Sequence, residues 1–312
     1  MTPEPKFIKL RDVLTQTVKE RRLRTIENNC IYWVKQIDDV LKWFTENELI
    51  VIGAWSWVWK TELSNQIAIA NAMRGKKVAL FSLEWDIWEI IYRLLQQRIN
   101  LNKTDWSFVS GPDYRLNMID INDEEDIAMS QIDDKILDNI LVFDKSFIPT
   151  RETLLAMIAS LHNKVDMYVI DHLHYLDYGA DEKNWLSDII RWVKETTEIL
   201  RKPVVMVAHL SRTYITQKRD PTKSDLHWSS NIEKNANTII LLTKGEWYQA
   251  IEEHKDSAHL AHTKIIIDKC RTWIQLPVKL DWVFDIRTKL YRQDKEFCQI
   301  TQGNGFSQVR AY

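Results

Sequence analysis

The chain has 312 residues, room for one large domain or for a domain with an appendage. Hydrophobic residues are 45% and charged residues 28%, a globular mixture that excludes a disordered chain, a collagen and a disulfide-stapled miniprotein. Forty-two basic against 44 acidic residues leave a net charge of −2, which excludes a globally basic nucleic-acid binder but leaves room for a local basic patch.

No apolar run approaches the roughly 18 residues of a membrane span, so no membrane association is expected. The opening MTPEPKFIKLRD lacks the apolar core of a signal peptide. Cys30, Cys270 and Cys298 lie far apart without metal-binding spacing, which points to a reducing cytoplasm. Two counts are abnormal. Glycine is 7 of 312, where about 7% is usual. Tryptophan, normally scarce, is 14.

Residues 8–24 carry Ile8, Leu10, Val13, Leu14 and Val18 near a three-to-four residue period. Lys19, Glu20, Arg21 and Arg22 fall on the polar side, which predicts an amphipathic helix. Such a helix packs on its own domain or docks on a neighbouring subunit, and the pattern leaves both open. From Glu48 onward, apolar β-rich runs alternate with helical stretches. The runs are ELIVIG (48–53), KVALFS (77–82), ILVFD (140–144), DMYVID (166–171), PVVMVA (203–208), NTIILL (237–242) and KIIID (264–268). Helices are predicted over 61–74, 86–99, 122–137, 150–163 and 183–201. The alternation predicts an α/β fold, a mostly parallel twisted sheet with helices on both faces. Ligands of such sheets bind beyond the carboxyl ends of the strands, so functional residues should follow the strands directly. The polar, proline-containing stretch 213–231 reads as a long loop, and loops of that length are usually functional.

The first strand runs into GAWSWVWKTE (53–62) and then a helix. Strand, loop, Lys-Thr, helix is the setting of a phosphate-binding loop, where backbone N–H groups and a helix N-terminus surround phosphate. Gly53, Ala54, Ser56, Trp57, Val58, Trp59, Lys60, Thr61 and Glu62 are the candidate contacts. Lys60 suits the β- and γ-phosphates of ATP, and the Thr61 hydroxyl suits Mg²⁺. Trp57 and Trp59 occupy positions that are commonly glycine, which lets backbone approach phosphate closely. The indole volume is the larger objection, because a left-handed non-glycine residue costs only roughly 1–2 kcal/mol.

Four further strand ends carry chemistry. Asp171 closes an apolar strand and suits a Mg²⁺-holding carboxylate, although an Asp merely capping a strand would read the same. Glu84 in FSLEWD could orient and deprotonate an attacking water, or simply favour a helix start. His209 in VVMVAHLSR could hydrogen-bond a γ-phosphate. Lys269 and Arg271 in KIIIDKCRTW share a side if the strand continues and could reach a phosphate in their own subunit or a neighbour's; a solvated surface pair is the plainer alternative.

Taken in order, ENELIVIGA...KT, VALFSLE, MYVIDHLHYL, VVMVAHLSR, KRDPTKSDL...SSNIEKNANTIILL and IIIDKCRT resemble the ATPase domain of the DnaB-type replicative hexameric DNA helicases, a RecA-like P-loop fold. The resemblance covers about residues 28–285. It implies Lys60 and Thr61 on phosphate and Mg²⁺, Asp171 as the acidic Mg²⁺ residue, Glu84 as catalytic base and His209 as γ-phosphate sensor. It also implies Lys269 and Arg271 completing a neighbour's site, Arg271 as arginine finger. Lys218, Arg219 and Lys223 match a loop that holds single-stranded DNA in the ring's channel. Residues 1–27 would be a linker helix docking on the next subunit, and 28–312 the RecA-like domain. A homo-hexamer, a primase and a helicase loader are the implied partners, and a bacterial or phage-infected bacterial cytoplasm the implied setting. The family's helical N-terminal domain has no counterpart, so a C-terminal fragment or an ATPase-only version is expected.

The departures share a direction. Trp33, Trp43, Trp57, Trp59 and Trp273 each stand where the family typically carries glycine, and Trp85 where it usually has methionine. An inactive variant, an altered or erroneous sequence and a rebuilt loop all remain open. Beside the ATP-driven helicase motor stand two other readings: a catalytically impaired DNA-binding ring, and a filament-forming recombinase-type ATPase.

Overall fold

A computed structural model describes residues 29–56, 58–100, 138–148, 150–176, 182–227, 229–244, 260–271, 275–286 and 289–292. The predicted helices over 8–24 and 122–137 lie outside the described residues, as does the proposed linker segment 1–27.

The strands are β1 (Leu49–Ala54), β2 (Val78–Ser82), β3 (Ile140–Asp144), β4 (Met167–Asp171), β5 (Val204–His209), β6 (Thr238–Lys244), β7 (Leu260–Lys269), β8 (Val278–Asp285) and β9 (Leu290–Arg292). The helices are α1 (Lys35–Leu41), α2 (Lys60–Met73), α3 (Ile87–Asn100), α4 (Arg151–Leu161), α5 (Glu182–Leu200), α6 (Thr213–Thr216) and α7 (Ser229–Asn235). The strands form one sheet in the order β3-β2-β4-β5-β1-β6-β7-β8-β9. β1 to β6 pair in parallel, and β6 to β9 pair antiparallel. The expected parallel α/β core is therefore present, and a hairpin extension made by β8 and β9 adds to it.

The alternation of strand side chains divides the core in two. Along β1, Ile50, Ile52 and Ala54 face a cluster with Leu63, Ile67 and Phe284, while Leu49 and Val51 face one with Leu154, Ile158 and Ile189. Helix α2 thus lies on one face and α4 and α5 on the other. Thr150 caps α4, its hydroxyl accepting from the Thr153 N–H at 3.3 Å. Among the described residues no helix is long and apolar enough to cross a membrane.

Every residue of α2 from Lys60 to Ala72 is buried, although the helix carries Glu62, Ser64, Asn65, Gln66 and Asn71. Buried polar groups need partners, and the two long-range amides show how they are met. Asn71 Oδ1 accepts from the Ile31 N–H at 2.9 Å, and its Nδ2 donates to the Ile31 and Ile67 carbonyls at 2.8 Å. Gln66 Oε1 accepts from the Tyr291 N–H at 2.8 Å and Nε2 donates to the Tyr291 carbonyl at 3.2 Å. One amide ties α2 to the segment before α1, and the other ties it to β9.

The stretch 213–231, expected as a loop, is held in a compact path. Thr222 and Asp225 form a capping box around the 3₁₀ turn Lys223–Asp225. The Arg219 guanidinium donates to both Asp225 oxygens at 2.6 and 2.7 Å. Leu226 bridges back to Leu210. Local carboxylate pairing supplies the order that low hydrophobicity does not.

Replacing Asn71→Ala would leave the N–H and C=O of Ile31 unpaired in the core. The expected loss is about 1–3 kcal/mol for each orphaned group, read as a lower denaturation midpoint. An unchanged midpoint would show that the amide contributes nothing to the anchoring of residues 29–34.

Candidate active site

The parallel strands end their carboxyl termini at one edge, and five motif residues meet there. β1 lies between β5 and β6, with Ala54 opposite His209. β2 lies beside β4, with Ser82 opposite Asp171. Lys60 and Thr61 open α2 just beyond β1, and Glu84 follows β2 by two residues.

The turn into α2 places Trp59 at the N-cap in the left-handed region, φ 37 and ψ 39, with no side-chain cap. The free N–H groups of the first turn are the anion-binding end of a helix. The Trp59 indole stacks on Phe284 with centroids 4.4 Å apart and planes at 19°. Its volume is taken up against the β8–β9 hairpin, so the expected steric objection moves from the side chain to the backbone, at roughly 1–2 kcal/mol. Tyr291 Oη donates to the Trp59 and Val58 carbonyls at 3.3 and 3.4 Å, which braces the turn from the same hairpin. Trp57 and Trp273 lie outside the described residues. Over Trp55 the Arg212 guanidinium sits 4.8 Å from the ring centroid.

Gly53 has a packing role. A Cβ there would meet Leu226 Cδ2 at 2.5 Å and Leu241 Cδ2 at 2.9 Å. Its lack of a side chain lets the 222–227 segment close on β1. Ala54 is the buried last residue of β1, and Ser56 is half-buried in the turn beyond it. Glu62, named as a candidate ligand contact, turns its carboxylate to Arg93 on α3 in a short ion pair, and Arg93 also reaches Glu89 at 2.8 Å.

Lys60 is buried, and burial lowers its pKa while Asp171, Glu84 and Glu62 pull it back up; the net shift is downward. Burial alone would raise Asp171, but His172, the Thr61 hydroxyl and Lys60 outweigh it and hold the carboxyl below its usual range. Glu84 follows the same logic: burial raises it, and contact with His172 brings it below the ordinary value. Both carboxylates are therefore ionised at neutral pH.

His172 is the residue that sequence reasoning missed. Its Nδ1 lies 2.7 Å from Asp171 Oδ1 and its Nε2 2.9 Å from Glu84 Oε2, with the ring almost wholly buried. Burial would lower its pKa, yet Asp171 and Glu84 lift it to about 9. The backbone at His172 is itself left-handed, φ 65, which turns the ring back toward the strand ends. Tyr175, closing the next turn, donates its hydroxyl to Glu84 Oε1 at 3.2 Å. The string DHLHY contains both residues, but their reach to Glu84 depends on β2 lying beside β4, which no local pattern reveals. The His209 ring lies 5.1 Å from that of His172, which brings His209 to the same cluster.

Other expected residues lie elsewhere. Lys269 pairs with Ile239 at the start of β6, whereas Lys60 follows the end of the neighbouring β1. Lys269 and the exposed Arg271 are thus at the opposite end of the sheet from Lys60 in the same chain. The Lys269 ammonium makes a short hydrogen bond to the Glu233 carbonyl. Among the loop cations, Arg219 is paired with Asp225, Lys223 lies 3.1 Å from Glu233, and Lys218 is exposed.

Among the described residues no group of three or more His, Cys, Asp or Glu forms a metal cage. Thr61 with Asp171 instead offers one hydroxyl and one carboxylate, the sparse protein ligation that suits a Mg²⁺ completed by phosphate and water. A buried lysine opening a helix, a hydroxyl beside it, a strand-end carboxylate and a second carboxylate across the sheet edge define a P-loop nucleotide-binding domain of RecA-like fold. The family model for the DnaB-like helicase C terminal domain matches residues 33–288, and the chain belongs to that family. The replicative DNA helicase DnaB of Geobacillus stearothermophilus is 26% identical over 288 residues, covering 85% of this chain and 58% of that protein. The Helicobacter pylori (strain ATCC 700392 / 26695) DnaB is 25% identical over 222 residues, covering 69% and 43%. The chain spans about half the length of these curated relatives. Among solved structures, a chain described as an ATPase domain superposes with a TM-score of 0.76 at 20% identity, over 93% of this chain and 100% of that one. A DnaB-like replicative helicase described with its primase interactions gives 0.72 at 20% identity, over 93% and 68%.

A Gly53→Ala substitution is expected to overpack the contact with Leu226 and cost about 1–3 kcal/mol, measured by chemical denaturation. Unaltered stability would mean that the 222–227 segment yields freely, and that Gly53 is not a packing residue.

Proposed function

We propose that the chain is the ATP-hydrolysing motor domain of a replicative DNA helicase. The observation that carries this reading is the convergence of Lys60, Thr61, Asp171 and Glu84 on the carboxyl edge of the sheet. The α2 N-terminus and the Lys60 ammonium bind the phosphates of ATP. Thr61 and Asp171 would hold Mg²⁺, whose charge would offset that of the bound phosphates. Glu84, ionised, orients a water and accepts its proton, and His209 lies on the side where the γ-phosphate would end. His172 and Tyr175 engage one Glu84 oxygen each and so set its direction.

In a ring, Lys269 and Arg271 of one subunit reach toward the site of the next, which their position away from their own Lys60 supports. The 213–231 segment carries Lys218, Arg219 and Lys223 toward single-stranded DNA. Arg219 and Lys223 already have carboxylate partners, so DNA contact exchanges one ion pair for another. A homo-hexamer working in the cytoplasm, and contacts with a primase and a loader, belong to the same reading. A second reading, a ring that binds DNA without hydrolysis, is favoured by the left-handed Trp59 at the head of α2.

The test is Mg²⁺-dependent ATP hydrolysis with and without single-stranded DNA, together with nucleotide binding. Glu84→Gln is expected to keep ATP binding and lose about 10²–10⁴-fold in kcat, whereas Lys60→Ala loses binding. Nucleotide-independent DNA binding without turnover would select the second reading.

His172→Asn is expected to lower kcat roughly ten- to a hundredfold, the range typical of supporting residues, with KM changed much less. Equal loss in Glu84→Gln and in the double variant would confirm that His172 acts through Glu84; additive losses would separate them.

A further inference from the structure

Tryptophan occupies positions whose backbone suits glycine. Trp33 has φ 57 and Trp59 has φ 37. A bulky side chain in that region is an outlier, whereas glycine enters it without penalty. Seven non-glycine residues among those described have positive φ, and two of them are tryptophan. Trp59 gains no capping hydrogen bond from its side chain. On α3 the Trp88 indole is 69% exposed, an unusual place for so large an apolar group. Trp282 behaves differently. It is 5% exposed and donates Nε1 to Gln36 Oε1 at 2.6 Å, as a buried indole should.

Composition points the same way. Seven glycines together with 14 tryptophans make 21 of 312 residues, close to the roughly 7% that glycine alone usually takes. One residue is depleted and the other enriched. Independent substitutions would scatter glycine positions over many residue types. Tryptophan is the one aromatic side chain of benzenoid type among the seven, the others being Lys, His and Arg, and its recurrence there points to one codon with two meanings. UGA is that codon: it neighbours UGG and is read as tryptophan in some translation systems.

We infer that UGA stands at the codons for Trp33 and Trp59 and that the source cell inserts glycine there. Trp57, in the same nucleotide loop, follows from the phosphate-loop reading of 53–62; Trp33 and Trp59 stand on backbone geometry alone. With glycine at 57 and 59, the loop becomes Gly-Val-Gly-Lys-Thr over 57–61. The turn into α2 then carries no left-handed side chain. Trp282 is a true tryptophan encoded by UGG.

The test reads the gene at these codons and the peptide masses of the protein purified from its own cells. UGA is expected at 33, 57 and 59, with peptides lighter by the indole side chain at each position. At 282, UGG and a full tryptophan mass are expected. UGG at 33 and 59, or UGA with full tryptophan mass there, overturns the inference. Neither readout involves ATP hydrolysis or DNA binding by the protein. A chain that carries glycine yet fails to hydrolyse ATP would sink the motor reading and leave this one standing. Tryptophan at 33 and 59 in an active ATPase would do the reverse.

Discussion

Enclosure of α2 is the constraint on which the rest depends. A helix that begins a phosphate loop must start at a fixed point, and this one is fixed by being buried from Lys60 to Ala72. A helix so enclosed usually owes its place to apolar residues all round. Here Glu62, Gln66 and Asn71 are inside as well, and each is satisfied by a different neighbour: Arg93 on α3, Tyr291 on β9 and Ile31 before α1. Burying such groups unpaired would cost about 1–3 kcal/mol apiece. The three partners therefore fix not only that α2 packs but its rotation and its axial position. Lys60 and Thr61 inherit that precision.

The charges at the site are arranged in alternation. Lys60 and His172 are the cations, and Asp171 and Glu84 the anions, so the buried cluster is close to neutral without a ligand. His172 lies between the two carboxylates, which separates groups that would otherwise repel and raise one another's pKa. It therefore lets the two carboxylates remain ionised side by side. A triphosphate brings several negative charges into this balance, and a divalent cation restores it. On the proposed reading, nucleotide and metal would therefore arrive together.

Much of this was legible in the sequence because it is local. Strand runs such as VALFS and MYVID, and residues immediately after them, announce themselves by apolar continuity and by one polar residue at the end. Lys60, Thr61, Glu84, Asp171 and His209 are singled out in that way, and the fold brings them to one edge of the sheet. What escaped detection is non-local. His172 matters through a carboxylate 88 positions earlier in the chain, brought near by strand order. Gly53 sits in a phosphate-loop pattern, but its space is taken by Leu226 and Leu241. Strands β8 and β9 carry Asp281, Asp285 and Arg292 among their apolar residues, so their pattern is weak. The order of 213–231 comes from Arg219–Asp225 pairing, which polar composition disguises.

The antiparallel extension connects features that are distant in the chain. Asp220, in the basic loop, is gripped by Lys264 on β7 and Lys279 on β8 at 2.9 and 2.7 Å. Phe284, five residues further along β8, carries the Trp59 indole. Those five residues of strand measure about 17 Å, and a strand hydrogen-bonded to β7 along its length and to β9 at Val283–Asp285 resists stretching. β8 is therefore a strut with the loop at one end and the nucleotide turn at the other. A motion that tilts it shifts both ends at once, with leverage set by where β7 and β9 grip it.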